Sequence, residues 1–414
     1  MTAALISPAT PLTEDRPAHR DPNVLRWLTA YTSSMLGDGV YYLALSWAAV
    51  QAGSPAQAGV LMSVSALPRA LLMLGGGVLA DRLGPRAVVI GSDAVRCAAV
   101  LAVAALLFLT SPGLWPLAAL ALVFGTVDAV FMPAVGALPV RLTGKGQLAR
   151  VQGMRGLAIR FSTVLGAPLG GLGVAVGGPA AAFGLAGLLI AVSVPLLVSV
   201  RTRDLPRDDS ADAGPSTPLG DLATGLRYIR GHRVLAPLML AIALGDLGFV
   251  GPLNVGLTLL ADRRGWGASG MGWVLAGFGV GAGAAALVLT VRGRVPRAGL
   301  VTGCSCVAGS VAVGALAFVP TLAAAVGAAL AVGLLTGLSG ALLQTQSDPA
   351  CLGRVSAVAG LVSLGLAPLG MPFAAAAIGA WGLGPVYLVS AVVCGLGGVV
   401  ALVVPALRRA ELPG

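Results

Sequence analysis

The chain has 414 residues, of which 57% are hydrophobic and 10% charged, whereas soluble domains are about 45–50% apolar and about 25% charged. This composition excludes a soluble globular protein, and the long apolar stretches that recur along the chain indicate a polytopic membrane protein. The formal net charge is +10. Because the basic residues are scattered at the ends of apolar segments, they favour the lipid surface over nucleic acid as their partner.

Apolar segments long enough to span a bilayer, roughly 20 residues, recur from one end of the chain to the other. Their Ala, Leu, Val and Gly content is typical of helices and not of the alternating strands of a membrane barrel. The sequence therefore predicts an all-α membrane protein with twelve transmembrane helices, at residues 24–50, 57–80, 87–110, 114–140, 150–176, 179–199, 234–260, 269–291, 298–318, 321–345, 354–378 and 384–406.

The distribution of Lys and Arg predicts the orientation of these spans. Basic residues precede the first span and occupy every second loop, whereas the intervening loops contain only Arg263 and Arg264. By the positive-inside rule, we expect a multi-pass protein of the cell membrane with both termini in the cytosol. The polar, proline-rich start of the chain lacks a secretory signal pattern, so we expect it to stay uncleaved.

The polar stretch 201–218 is rich in Asp, Arg and Pro and reads as a flexible linker between two groups of six spans. Leu219, Leu222, Leu226 and Ile229 follow it on one helical face, which indicates a helix lying on the inner leaflet. We therefore predict a tail at 1–23, an N-terminal bundle at 24–200, a linker with interfacial helix at 201–233, a C-terminal bundle at 234–406 and a tail at 407–414.

Short sequence echoes relate the two groups of six spans. Three short strings of the first half recur in the second half, in the same order and at similar offsets: Gly37-Asp38 as Gly245-Asp246, Gly84-Pro85-Arg86 as Val295-Pro296-Arg297, and the Ala-Pro-Leu-Gly string 167–170 as 367–370. Three ordered echoes indicate two pseudo-symmetric six-helix bundles. Parallel repeats of this kind place a substrate site near the membrane midplane, between the halves.

Ionisable side chains in the middle of a span are costly and mark functional sites. Asp38, Asp128, Asp246 and Arg69 all lie roughly 18–21 Å from the predicted cytosolic ends of their helices. Two interpretations stay open: the acids exchange protons during transport, or Asp38 or Asp128 forms a permanent ion pair with Arg69. Asp246 has no Arg at its depth on the adjacent spans, and Arg160 is a candidate partner from the other half.

The loop after the second span carries the most specific motif. Residues 77–86 read GVLADRLGPR, which resembles the Gly-x-Leu-Ala-Asp-Arg-x-Gly-Arg-Arg gating motif of the major facilitator superfamily. Pro85 replaces a usual Arg. The resemblance implies the major facilitator fold, alternating access, and a gating role for Gly77, Asp81, Arg82, Gly84 and Arg86.

A second motif lies in the fifth span and is similar to the span-five motif of drug antiporters in this superfamily. It comprises Gly153, Gly166, Pro168, Gly170 and Gly171, with Ser162 in place of a glycine and the proline one position late. Further details, such as Phe131-Met132-Pro133, resemble the drug:proton antiporter-3 group, which includes macrolide and siderophore exporters. The resemblance implies proton-driven export of an amphipathic small molecule, with a role in multidrug efflux and antibiotic resistance.

In the superfamily, spans one, four, seven and ten line the central cavity. This placement implies proton coupling through Asp38, Asp128, Asp246, Arg69 and Arg160. It also implies a substrate wall that includes Ser34, Tyr42, Phe131, Asn254, Thr336, Ser339 and Gln344.

Two other functions stay open: a secondary importer or facilitator of a small metabolite, and, less well supported, a membrane-embedded enzyme. The sequence contains no nucleophile–base pair, metal-ligand spacing or phosphate-binding loop. We therefore expect no enzymatic activity, no cofactor and no metal. We also expect a monomer that binds protons and a small amphipathic substrate.

Overall fold

The structure is a computed structural model, and it describes residues 17–110, 113–202, 218–292, 297–336, 346 and 352–411. The first half contains α1 (Pro22–Ala52), α2 (Pro55–Leu83), α3 (Pro85–Leu109) and α4 (Trp115–Leu142). A 52-residue helix, Leu148–Ser199, follows. It has non-helical backbone angles at Gly177 and Gly178, so we treat its limbs, residues 148–176 and 179–199, as α5 and α6.

The local sequence explains why these helices begin where they do. Proline occupies the first or second position of α1, α2, α3 and α4, where its missing N–H and fixed φ carry no cost. Ser54 and Gln57 form a capping box at the start of α2. Between α5 and α6, Gly178 has φ of 71°, a left-handed conformation that glycine adopts without strain.

The second half begins with a short amphipathic helix, α7 (Pro218–Gly231). A continuous rod, α8, comprises Leu235–Gly251, a π-helical turn at Pro252–Gly256 and Leu257–Arg263. It is followed by α9 (Gly267–Arg292), α10 (Ala298–Leu316), α11 (Leu322–Thr336), α12 (Leu352–Trp381) and α13 (Leu383–Val403).

Among the described residues, six long helices thus precede the linker and six follow it, which agrees with the predicted all-α fold. In the described part of the chain, seven helices, the 50-residue Arg150–Ser199 among them, are long and apolar enough by length and composition to cross a membrane. Many large apolar side chains on the outer surface, such as Phe108, Val176 and Phe373, are exposed. These side chains suit contact with lipid tails. Residues 337–345 of the predicted tenth span lie outside the described residues.

The two halves pack most closely at the ends of the helices that lie opposite the chain termini. A Cβ atom built on Gly171 of α5 would lie 2.5 Å from the Ala268 carbonyl oxygen of α9, and one on Gly272 would lie 2.7 Å from that of Ala167. Glycine is therefore required for this approach. Gln51 of α1 also donates to Asp262 of α8 at 2.8 Å. This end of the molecule is closed.

Candidate transport site

A fully buried guanidinium organises the interior of the first half. Arg96 of α3 has no exposed side-chain surface, and its Nη1 donates to both carboxylate oxygens of Asp38 at 3.0 Å and to Asp128 Oδ1 at 3.1 Å. Its Nη2 donates to Ser34 Oγ at 3.1 Å and to Asp93. Four helices, α1, α3, α4 and α6, are joined here, because Ser193 of α6 also donates to Asp93.

Aromatic rings fix the plane of this guanidinium. The Arg96 Cζ atom lies 3.9 Å from the ring centroid of Phe131 and 5.4 Å from that of Phe124, both within the range of a cation–π interaction. The Phe124 ring stacks in turn on Tyr41 at 3.7 Å between centroids. The guanidinium is therefore held on its face and on its edges.

Asp128 connects the buried cluster to a second, more accessible guanidinium. Its Oδ2 accepts a hydrogen bond from the Tyr42 hydroxyl at 2.9 Å and lies 3.7 Å from Arg69 Nη1. Arg69 also donates to the Tyr42 hydroxyl at 3.3 Å. The side chain of Arg69 is 26% exposed, compared with 6% for Asp128. Of the two acids considered as partners of Arg69, Asp128 lies beside it, whereas Asp38 forms its ion pair with Arg96.

The charges of this network do not balance. Asp38, Asp93 and Asp128 face two guanidinium groups, Arg96 and Arg69. Ionisation of all three acids would leave one excess negative charge in a site from which water is largely excluded. An uncompensated buried charge costs several kcal/mol.

Asp246 of α8 occupies a different environment. Its Oδ2 accepts a hydrogen bond from Ser363 of α12, and no Arg or Lys of the described residues lies within ion-pair distance of it. Arg160, the candidate partner from the other half, is exposed, and no ion pair joins it to Asp246 within the described ranges. Asp246 is thus half-buried without a compensating cation.

A central cavity separates the two halves and has two lobes that share Tyr42 and Asn254. One lobe, of about 290 Å³, lies among α1, α2, α8 and α12 and is lined by Arg69 and Ser363. The other, of about 320 Å³, lies among α1, α5, α8 and α9 and is lined mostly by apolar side chains. At its closed end, Ser46 and Thr258 share a hydrogen bond of 2.6 Å between hydroxyl oxygens.

Two residues assigned to the substrate wall lie elsewhere. Ser34 and Phe131 are each 1% exposed, because Ser34 bonds to Asp93 and Arg96 and Phe131 packs under the guanidinium. They support the charged network and do not line the cavity. The side chain of Thr336, and all of Ser339 and Gln344, lie outside the described residues.

The glycines of α5 serve helix packing. A Cβ atom on Gly166 would lie 3.1 Å from the Cα atom of Gly39, and one on Gly170 would lie 3.1 Å from that of Val40. These two glycines bring α5 against α1, and Gly171 brings it against α9. Pro168 lies inside the helix, whereas Gly153 has no neighbour that an added Cβ would meet within 4 Å.

The predicted gating loop forms a tight helix-to-helix junction. Gly84 has φ of 87°, which explains the glycine in the motif. Arg86 donates to the Val198 carbonyl oxygen at 2.6 Å, tying the start of α3 to the end of α6, and Arg82 is exposed. Gly77 and Asp81 lie in the last turns of α2, and their surroundings lie outside the described residues.

Sequence reasoning missed the role of Arg96. It considered only Arg69 as a partner for Asp38 and Asp128. The spacing of Asp93 and Arg96, three residues apart on one helix face, was the available signal. Among the described residues, no group of three His, Cys, Asp or Glu side chains could hold a metal ion.

Two helical bundles around a central cavity, with a buried charge network beside it, are typical of a membrane transporter. The sequence profile of the Major Facilitator Superfamily matches residues 27–368. The chain belongs to this superfamily, as the gating motif predicted.

Sequence relatives include two named exporters. The chain is 29% identical over 419 residues to the multidrug efflux pump Tap of Mycobacterium tuberculosis, with 96% of each chain covered. It is 27% identical over 290 residues to the enterobactin exporter EntS of Escherichia coli, covering 69% of this chain and 68% of the exporter.

Solved structures with the same fold are more distant in sequence. The nucleoside transporter NupG, as a D323A mutant, has a TM-score of 0.72 at 11% identity and covers 92% of this chain and 100% of its own. A bacterial homologue of the lysosomal transporter Spinster, in an inward-facing and unoccupied conformation, has a TM-score of 0.67 at 16% identity, covering 95% and 97%. At this identity, the likeness concerns the fold alone.

Proposed function

We propose that this protein exports an amphipathic small molecule in exchange for protons, by alternating access of the central cavity. Support for export comes from Tap and EntS, whose names record efflux of drugs and of a siderophore. Support for an amphipathic substrate comes from the cavity itself, which combines one lobe containing Arg69 with a mostly apolar second lobe.

The observation that carries the proton-coupling proposal is the charge imbalance at Arg96. Three carboxylates face two guanidiniums. Asp128 contacts both cations, the buried Arg96 and the Arg69 on the cavity wall. A proton that reaches Asp128 from the cavity would weaken its attraction to Arg69 and free that guanidinium. Proton binding would thereby change the cavity wall that the substrate meets, which is the requirement for coupling.

The packing of the halves supports an inward-facing state. The contacts at Gln51–Asp262 and Ser46–Thr258 close the end opposite the termini. With both termini in the cytosol, as the positive-inside rule predicts, that closed end is the extracellular one. Opening of these contacts would then be the step that releases substrate outside.

The proposal is tested with purified protein in liposomes loaded with a panel of macrolides, other amphipathic antibiotics and siderophores. Release driven by an imposed proton gradient, and abolished by a protonophore, is the expected result. Asp128→Asn should uncouple release from the gradient. Gradient-independent uptake of small metabolites would instead favour an importer or facilitator, and release that ignores the gradient would refute proton coupling.

A further inference from the structure

The second half contains an internal cavity with an acid on its wall. This C-half cavity, of about 260 Å³, lies among α8, α9, α10, α11 and α13. Its lining is largely apolar, and its polar side chains include Asp246, Thr302, Cys306 and Ser310. No Lys or Arg is among its described lining residues.

The sequence repeat explains what is missing from this cavity. Gly245-Asp246 echoes Gly37-Asp38, so α8 corresponds to α1 and α10 corresponds to α3. In the first half, α3 supplies the Arg96 guanidinium to Asp38. In the second half, α10 supplies Thr302, Cys306 and Ser310 to the cavity wall beside Asp246.

Other groups at this cavity suit a cation. Thr302 is 3% exposed, and its buried hydroxyl has no hydrogen-bond partner among the described residues. The rings of Phe249 and Phe278 line the cavity with their centroids 5.4 Å apart, and aromatic faces attract cations.

We propose that the C-half cavity binds the ammonium or guanidinium group of an amphipathic ligand, with Asp246 as its counter-ion. A half-buried carboxylate without a cation is costly, and a bound organic cation would neutralise it while its apolar part packs on the cavity wall. Ser363, which donates to Asp246, also lines the central cavity. The Ser363–Asp246 hydrogen bond thus lies between the two cavities.

This cation site rests on the proposed function and adds a cationic substrate class to it. Binding of a cation to the C-half cavity is measured without a proton gradient. The probes are 2-phenylethylammonium and its neutral isostere propylbenzene, added to purified protein in detergent. Cys306 lines the cavity, whereas Cys304, two residues away on α10, is exposed. Alkylation of each thiol by a maleimide, quantified by peptide mass spectrometry, reports occupancy at Cys306 with Cys304 as the internal control.

We expect 2-phenylethylammonium to slow alkylation of Cys306 and not of Cys304, and propylbenzene to be at least about tenfold less effective, because a charged partner adds a strong hydrogen bond. Asp246→Asn should remove this difference between the probes, and Thr302→Val should reduce it. Glu411→Gln, at an exposed acid outside the cavity, should leave it unchanged.

Equal protection by both probes, no protection, or persistence of the difference in Asp246→Asn would overturn the proposal. A melting curve of each variant, and the alkylation rate of Cys304, establish that it is folded. If gradient-driven efflux is absent but cation protection is present, only the proposed function fails. If efflux is present but protection is absent, only the cation site fails.

Discussion

The two guanidiniums of the first half should respond very differently to neutralisation. Arg96→Met removes a fully buried cation from Asp38, Asp93 and Asp128. Breaking a buried pair by removing one partner costs about 3–5 kcal/mol, and here three acids lose their shared cation. Arg69→Met removes a partly exposed group that lies 3.7 Å from Asp128, and Asp128 keeps its ion pair with Arg96 at 3.1 Å, so we expect a smaller loss of stability.

The assay is thermal unfolding of purified protein in detergent, followed by intrinsic fluorescence and size-exclusion profile. Arg96→Met should melt well below the parent protein, whereas Arg69→Met should melt less far below it and yet lose gradient-driven efflux. Adding Asp38→Asn and Asp93→Asn to Arg96→Met should recover much of the stability, because the uncompensated charges are removed. Equal melting of the parent and Arg96→Met, or no recovery in the triple variant, would refute this assignment.

Three further predictions concern the other acids and the helix contacts. Asp246→Asn should abolish gradient-driven transport while leaving expression intact, and full proton-coupled export by this variant would contradict a coupling role. Gly171→Ala should open the closed end, because its Cβ would lie 2.5 Å from the Ala268 carbonyl oxygen; cysteine accessibility at both ends should change, whereas Gly153→Ala should behave like the parent. The gating motif implies that the Asp81 carboxylate contacts a helix N-terminus of the other half in the outward-facing state. Asp81→Asn should therefore shift the population toward the inward-facing state by about five- to thirty-fold, as expected for loss of such a contact at about 1–2 kcal/mol, and unchanged accessibility with lost transport would assign Asp81 another role.

The sequence by itself determined the architecture. Apolar segments separated by Gly and Pro leave helices as the only way to satisfy the backbone in lipid, and the structure begins α1, α2 and α3 at prolines within two residues of the predicted spans. The break at Gly177–Gly178 was also readable, because adjacent glycines before a proline disfavour a continuous helix. The gating motif was sufficient to predict the superfamily.

Only the tertiary structure decided how the charges are paired. Depth along a helix is set by sequence position, so Asp38, Asp128 and Arg69 could be assigned to one layer. The direction in which a side chain points from the helix axis and the distance between helices depend on packing. In the packed structure, Asp38 therefore pairs with Arg96 and not with Arg69. The same limit explains why Ser34 and Phe131 were assigned to the cavity wall when packing turns them toward the guanidinium. The C-half cavity is likewise decided by packing, because five helices, α8, α9, α10, α11 and α13, enclose it.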